Sequence, residues 1–320
     1  MPGRRPPEQP SVAIVTDSTA SLPEGAAERW GIGVVPLDVV VDGERHIEGV
    51  DLTPGALLAA LTRGAKVSTS QPSPAAFAAA YDRAAASGAR EIVSIHLSGE
   101  LSGTVRAASL AAEAAPVTVH VVDSGAVAMA LGFAVLDAAR FSLGPPEPPA
   151  PAPGSGPFAG ARARWHARGR VGPSLPSGSR VAEHAVSVAA STRVWFLVDS
   201  LEHLRRGGRL SMPATAFGIV LGLRPILSLH DGAIEVLEKV RTRRSARDRL
   251  VALAVADIAR RPHARVAVHH LGQAEIAATL ADELSAMSGG RVEETVVCES
   301  GAVLAAHVGP GLLAIVVADA

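Results

Sequence analysis

The sequence predicts an α/β protein whose N-terminal half is a parallel sheet covered by helices on both faces, in an α/β/α arrangement. A separate α+β domain with a mixed sheet is predicted for the C-terminal half. The first prediction comes from residues 12–140, where short apolar runs alternate with helical patterns. The second comes from Asp231-Gly232, a hairpin turn flanked by two apolar runs. Seven prolines over residues 142–157 separate the halves.

The elements of the N-terminal half follow from apolar runs and their end signals. Pro54 and Gly64, for example, mark the two ends of one helix. Strands are predicted over 12–18, 33–43, 91–97 and 117–124, and helices over 22–31, 53–64, 74–88, 104–115 and 126–140. In such sheets ligands bind beyond the carboxyl ends of the strands. The polar turns "TDSTAS", "SGELSGT" and "VDSGA" follow strands and are expected at that edge.

The chain therefore divides into a domain over 1–140, a Pro/Gly/Arg-rich linker or insertion over 141–190 without regular order, and a domain over 191–320. In the last domain, Gly207-Gly208 end a short helix that follows a strand near 193. Further helices are predicted over 213–223, 245–260 and 273–287, a hairpin over 224–242, and strands over 265–271, 292–298 and 312–318.

Composition excludes several functional classes. The 320 residues carry a net charge of −1, which argues against general nucleic-acid or membrane-surface binding. The longest nearly apolar stretch, at 125–139, is too short to span a bilayer, so no integral membrane association is expected. Cys298 is the only cysteine, which precludes an internal disulfide and fits the cytoplasm.

Familiar catalytic and metal-binding motifs do not occur. The sequence has no Walker A, HExxH or GxSxG motif. His269 and His270 are adjacent on a predicted strand and point to opposite faces, which is unsuitable for one metal ion. No metal, no cofactor and no catalytic residue are therefore predicted.

The turn "SGELSGT" at 98–104 favours binding of an anion. It lies between a strand and a helix, where hydroxyl groups and free backbone N–H groups meet the positive end of the helix dipole. Ser102, Gly103 and Thr104 supply these donors, and the loop at Thr69 and Ser70 offers further hydroxyls. Gly103 would allow close approach of the backbone to a ligand.

Taken together, seven segments resemble the DegV family of bacterial lipid-binding proteins. They occur in the family's order and cover most of the chain outside 142–190: "VTDSTASLP" (15–23), "TSQPSP" (69–74), "LSGELSGT" (97–104), "VDSGAVAMALGF" (122–133), "LVDSLEHLRRGGRLS" (197–211), "LRPILSLHDGAIEVLEKVRTRRSA" (223–246) and "HVGPGLL" (307–313). The resemblance implies a long-chain fatty acid bound between the two domains. It also implies a non-catalytic subunit that presents the fatty acid to a separate fatty acid kinase, which forms the acyl-phosphate.

The resemblance also implies roles for particular residues. Thr69 and Ser102 are the expected carboxylate-binding hydroxyls, with His307 beside the same group. Arg209 and Arg241 are expected on the kinase-docking surface, within a segment, 205–249, that holds ten basic residues against four acidic ones. The apolar segments 128–136 and 217–227 are the expected lining of the acyl tunnel.

Alternatives stay open at the level of sequence. Ser102 could be an ordinary helix N-cap, and His307 a hydrogen-bonded, partly buried histidine. The apolar segments could be core. A stand-alone acyl-ester hydrolase with a Ser102/His307 pair and a lipid-sensing regulator without a kinase are the alternative functions.

Overall fold

The computed structural model describes residues 11–144, 175–210 and 223–320, which form three sheets flanked by helices. The strands are β1 (Val12–Asp17), β2 (Gly33–Val35), β3 (Asp38–Val41), β4 (Glu44–Ile47), β5 (Val67–Ser70), β6 (Glu91–His96), β7 (Thr118–Asp123), β8 (Arg193–Leu197), β9 (Arg224–His230), β10 (Ala233–Val240), β11 (Ala264–His270), β12 (Val292–Glu299) and β13 (Leu313–Asp319). The helices are α1 (Ala26–Trp30), α2 (Pro54–Thr62), α3 (Pro74–Ala86), α4 (Thr104–Ala112), α5 (Met129–Ser142), α6 (Gly178–Ser191), α7 (Glu202–Arg206), α8 (Arg243–Ile258), α9 (Ala274–Met287) and α10 (Ala302–Val308).

The N-terminal half contains the predicted parallel sheet. Its order is β2-β1-β6-β7, and every neighbouring pair is parallel. Helices α3 and α4 pack on one face, and α5 and α6 pack on the other. The predicted α/β/α arrangement is therefore confirmed, since both faces of a parallel sheet need a cover of helices.

The predicted strand 33–43 is divided between two sheets. Pro36 lies at the break, because proline has no N–H to donate and restricts the residue before it. The first part becomes β2 of the parallel sheet, and the second becomes β3, the centre of a small antiparallel sheet β4-β3-β5. Strand β5 carries Thr69 and Ser70, which the sequence placed in a loop; Thr69 pairs with Val39 in β3.

The C-terminal half contains a six-stranded mixed sheet in the order β10-β9-β8-β13-β11-β12, as predicted for an α+β domain. The hairpin prediction is confirmed. Asp231 and Gly232 both have positive φ, 46° and 79°, as the two central residues of a type I′ turn require. The hairpin tip docks on the N-terminal half, where the Ser98 hydroxyl donates to the Gly232 carbonyl at 2.7 Å.

Helix α5 lies between the two halves. Eleven of its fourteen residues are buried, because it packs against β1 on one side and β13 on the other. Arg265 of β11 crosses the boundary to Asp137 of α5 with two hydrogen bonds of 2.8 and 2.5 Å, and it also lies over the ring of Phe133. Most of this helix is apolar because it packs on both sides, and its exposed position is taken by Arg140.

The prediction that 141–190 lacks regular order is wrong for its last part. Helix α6 begins after Ser177, whose hydroxyl accepts from the Arg180 N–H, and it packs on α5, β6 and β7. Val181, Ala185 and Ala189 recur every four residues and form its buried stripe, a helical period that the neighbouring prolines and arginines obscured. Residues 145–174 and most of the helix predicted over 213–223 lie outside the described residues. The domain boundaries stay a prediction.

Candidate functional site

A cavity of about 360 Å³ lies between the two halves of the molecule, within the size range of small-molecule sites. Loops after β1, β6 and β7 close one side, and the six-stranded sheet closes the other. Strand β5 and helix α10 complete the wall. The cavity is therefore where the sequence predicted a ligand, beyond the carboxyl ends of the parallel strands.

Most of the cavity wall is apolar. One face of the six-stranded sheet contributes alternate residues, as the two-residue period of a strand requires. These are Val194 and Phe196 of β8 and Ala314 and Val316 of β13, which are direct neighbours across the sheet. Leu37, Leu97, Leu101 and Val127 face them from the N-terminal half. Such a wall suits a hydrocarbon chain and offers nothing to a nucleotide base or sugar.

One end of the cavity is polar. Thr69 Oγ1 and His307 Nε2 lie 2.7 Å apart, joining strand β5 to helix α10 across 238 residues of sequence. Ser70, Gln71, Ser102 and Arg209 line the same cavity. The structure therefore brings Thr69, Ser70, Ser102, Gly103 and His307 together around one cavity, as predicted from the sequence.

His307 is a neutral histidine at pH 7. Burial, with a smaller contribution from the nearby Arg209 guanidinium, lowers its pKa to about 4. A neutral imidazole can either donate to or accept from the Thr69 hydroxyl at Nε2. The neutral His307 ring therefore holds the Thr69 hydroxyl in place without adding a second positive charge beside Arg209.

Ser102 is not the N-cap of the helix that follows it. The N-cap of α4 is Gly103, and no side chain caps that helix. The Ser102 hydroxyl instead lies 2.8 Å from the Thr104 hydroxyl and lines the cavity. Thr104 itself is fully buried and does not line the cavity, so its part in the site is to hold the Ser102 side chain. Ser70 is similarly held, since its hydroxyl donates to Asp38 at 3.3 Å.

Gln71 is a site residue that sequence reasoning missed. Its side-chain oxygen would clash with a Cβ placed on Gly103, so any other residue there would displace the Gln71 amide. The motif "TSQPSP" contained the residue, but nothing in the sequence indicated that its amide would contact the "LSGT" turn. The close approach also gives the reason for glycine at 103, whose φ of −74° any residue can adopt.

We expect Gly103→Ala to weaken ligand binding with little loss of stability. The new methyl group would push the Gln71 amide away from the turn, and a side-chain end moves at low cost. Thermal unfolding and ligand titration of the same preparation would check this. Gly55→Ala, in helix α2 with open space around its Cβ, is the matched control and is expected to leave binding unchanged.

The two arginines predicted on a docking surface lie in different places. Arg209 lines the cavity, where its guanidinium donates to the carbonyls of Leu101, at 3.0 Å, and Gly207. Arg241 is exposed immediately after β10 and does not line the cavity. The sequence indicated the basic segment, but it could not show that Arg209 lines the cavity while Arg241 is exposed on the surface.

The predicted lining segments contribute little to the cavity. Of 128–136, only Ala128 lines it, and the remaining residues form the buried faces of α5. Of 217–227, Ile226 and Leu227 are buried in the core and do not line the cavity, and 217–222 lie outside the described residues. Apolar sequence could not distinguish core from lining, because both are shielded from water.

A second polar cluster is buried in the parallel sheet. Asp17, His96 and Ser94 follow one another at 3.0 and 2.7 Å, in the order of a serine hydrolase triad. All three side chains are buried, and the Ser94 hydroxyl also accepts from Tyr81 at 2.9 Å. A serine enclosed in this way cannot reach a substrate, so the cluster holds the strand ends in place.

The described residues contain no cluster of three or more histidine, cysteine, aspartate or glutamate side chains that could hold a metal ion. In the same part of the chain, no helix has the length and apolar character needed to cross a membrane.

Comparison with known proteins decides the family. The family model described as "Uncharacterised protein, DegV family" matches residues 11–143 and 177–320. This chain belongs to the DegV family. The two matched ranges leave out only the N-terminal residues and the Pro/Arg-rich segment, which agrees with the motifs seen in the sequence.

Relatives and solved structures cover nearly the whole DegV chain. A DegV domain-containing protein of Streptomyces coelicolor is 44% identical over 308 residues, which is 96% of this chain and 98% of the relative. The structure of a DegV family protein from Thermus thermophilus, described as fatty acid binding, has a TM-score of 0.80 and 33% identity, covering 97% of this chain and 99% of that one. DegV from Bacillus subtilis, described as a fatty acid binding protein, has a TM-score of 0.78 and 30% identity, with 97% and 99% covered.

Proposed function

We propose that this DegV protein binds a long-chain fatty acid with its carboxylate at Thr69, Ser102 and His307 and its acyl chain in the apolar part of the cavity. One observation carries the proposal: a single cavity with a cluster of hydroxyl, amide and imidazole groups at one end and mostly apolar walls elsewhere. The relatives from Thermus thermophilus and Bacillus subtilis, which are described as binding fatty acids, support it.

The polar end suits a carboxylate. The Thr69 and Ser102 hydroxyls can each donate to a carboxylate oxygen, and such bonds to a charged group are stronger than bonds between neutral groups. The N-terminus of α4 adds the positive end of a helix dipole, which favours a bound anion. Arg209 supplies a positive charge nearby, although two of its nitrogens are already bonded to backbone carbonyls.

The apolar walls suit the acyl chain. Each methylene removed from water contributes about 0.8 kcal/mol, before the cost of ordering the chain. A chain of C16–C18 is therefore held mainly by its tail, while the carboxylate bonds fix which end faces the polar groups.

The second part of the proposal concerns use of the bound lipid. This chain acts as a non-catalytic subunit in the cytoplasm, and a separate fatty acid kinase subunit transfers phosphate to the lipid that it presents. In that step a carboxylate oxygen attacks the γ-phosphorus of ATP, the acyl-phosphate forms, and ADP leaves. No tightly bound cofactor of this chain enters the step.

Organic extraction of the denatured protein followed by mass spectrometry tests the first part. We expect about one long-chain fatty acid per chain. A protein purified from its native host without any bound acyl chain, and without affinity for added octadecanoic acid, would overturn the proposal.

A charge reversal at Arg241 tests the second part. We expect Arg241→Glu to reduce acyl-phosphate formation by the cognate kinase at least tenfold while leaving the bound lipid in place, because this arginine lies outside the cavity. Arg209 is unsuitable for this test, since it lines the cavity. Arg180→Glu, on α6, is the matched control. Unchanged acyl-phosphate formation with Arg241→Glu would show that Arg241 is not part of the docking surface.

The hydrolase alternative has less support. His307 contacts Thr69 and not Ser102, and no carboxylate among the described residues pairs with His307. If the protein binds lipid but no kinase phosphorylates that lipid, the function is that of a lipid-sensing regulator.

A further inference from the structure

Two buried polar atoms on the cavity wall have no hydrogen-bond partner among the described residues. They are Nδ1 of His269 and the hydroxyl oxygen of Ser300. Both side chains line the cavity and both are almost completely buried, at 1% and 0% exposure. Leaving a buried polar group unpaired costs about 1–3 kcal/mol, so each such group calls for a specific explanation.

The two atoms belong to adjacent strand ends. His269 pairs with Cys298 across β11 and β12, and the Ser300 N–H donates to the His270 carbonyl at 2.8 Å. This places His269 and Ser300 beside each other at the carboxyl ends of the two strands, on the side that faces the N-terminal half. Groups at adjacent strand ends can contact the same part of a bound chain.

The hydrogen-bonding character of the pair is defined. His269 Nε2 accepts from the Met129 N–H at 3.1 Å, so a neutral ring carries its proton on Nδ1, which is a buried donor without a partner among the described residues. Burial lowers the pKa of His269 to about 4, which keeps the ring neutral at pH 7. Ser300 can donate or accept. The pair matches a hydroxyl or carbonyl oxygen and does not match a methylene group.

The pair is distant from the carboxylate end. Helix α10 runs from Ala302, two residues after Ser300, to Val308, and the five steps from Ala302 to His307 span about 8 Å of helix axis. An oxygen at His269 and Ser300 would therefore belong to the middle of an acyl chain whose carboxylate lies at His307.

From these contacts we propose that the cavity selects an acyl chain with a mid-chain oxygen substituent, such as a hydroxy fatty acid, which His269 Nδ1–H and the Ser300 hydroxyl bind. The proposal rests on the fatty-acid-binding function above and names its ligand class. A site built to bond an oxygen disfavours the analogue that lacks it, because the analogue leaves both protein groups unpaired. A plain saturated chain would leave both the His269 and the Ser300 groups unpaired.

Binding of three acids to the delipidated full-length protein tests the proposal. We expect 10-hydroxyoctadecanoic acid to bind about tenfold tighter than octadecanoic acid, from one properly paired hydroxyl. We expect 2-hydroxyoctadecanoic acid, whose oxygen lies beside the carboxylate, to gain nothing. Octadecanoic acid binding as tightly as the 10-hydroxy acid would overturn the selection, while leaving the fatty-acid-binding function intact. If none of the three acids bound, both proposals would fail.

Variants then assign the preference to the pair. Ser300→Ala removes an unpaired hydroxyl without altering packing and is expected to bring the affinity ratio close to one. His269→Leu should do the same, and Ser300→Ala keeps the test decisive if His269→Leu does not fold. Leu229→Ala, which shortens an apolar wall residue, is the matched control and should weaken both acids equally. If Ser300→Ala keeps the tenfold preference for the 10-hydroxy acid, His269 and Ser300 do not bind its hydroxyl oxygen.

Discussion

Thr69→Val is expected to weaken fatty acid binding by about 10- to 100-fold, as the loss of one hydrogen bond to a charged group predicts. Valine keeps the shape of threonine and its preference for a strand, so β5 should stay intact. The variant loses the hydroxyl that lies 2.7 Å from His307, and it leaves the imidazole beside an apolar methyl group. Isothermal titration of delipidated protein with hexadecanoic acid would measure the change.

The control for this variant lies one residue away. Ser68 is on the same strand but points to the opposite, exposed face, because side chains alternate along a strand. Ser68→Ala should bind as the unchanged protein does. Wild-type affinity in Thr69→Val would place the carboxylate elsewhere in the cavity and contradict the proposed orientation of the lipid.

Arg265→Met is expected to lower the free energy of unfolding by about 3–5 kcal/mol, the typical cost of breaking a buried ion pair from one side. Arg265 joins β11 to Asp137 of α5, and the two side chains are only 5% and 18% exposed. Methionine fills similar space but leaves the Asp137 carboxylate with only the longer, more exposed contact to Arg140, at 3.4 Å. Urea unfolding followed by circular dichroism would measure the effect.

Two comparisons show whether burial is the cause. Arg249 makes an equally direct two-bond contact with Glu238, but those side chains are 44% and 33% exposed, so Arg249→Met should lower the free energy of unfolding far less. The double variant Arg265→Met, Asp137→Leu removes both charges and should recover most of the lost stability. Equal losses for Arg265→Met and Arg249→Met would contradict this account of how the two halves are joined.

Much of the fold was predictable because its signals are local. The alternation of strands and helices over 12–140 gives the parallel sheet, and Asp231-Gly232 gives the hairpin through two positive φ angles. Predictions failed where the local signal was weak or mixed. Pro36 divided a strand between two sheets, and helix α6 was obscured by the prolines and arginines that precede it.

The candidate site was predictable only in part. Thr69, Ser102 and His307 were identified through motifs, and the structure brings all three to one cavity. Two features depend on packing that no motif records. Most of the predicted lining residues are core residues, and Arg209 points into the cavity wall. Gln71 became visible only through its contact with Gly103.

The sequence by itself determined the class of the fold, the hairpin, the polar turns at the strand ends and the family to which the chain belongs. These depend on residues near one another in the chain, or on motifs in a fixed order. Only the tertiary structure decided that Thr69 and His307 meet, that most of α5 is core, and that His269 and Ser300 lie in the cavity wall with unpaired buried polar atoms. Each of these depends on which surfaces of distant elements exclude water together, and burial of that kind is a property of the assembled fold.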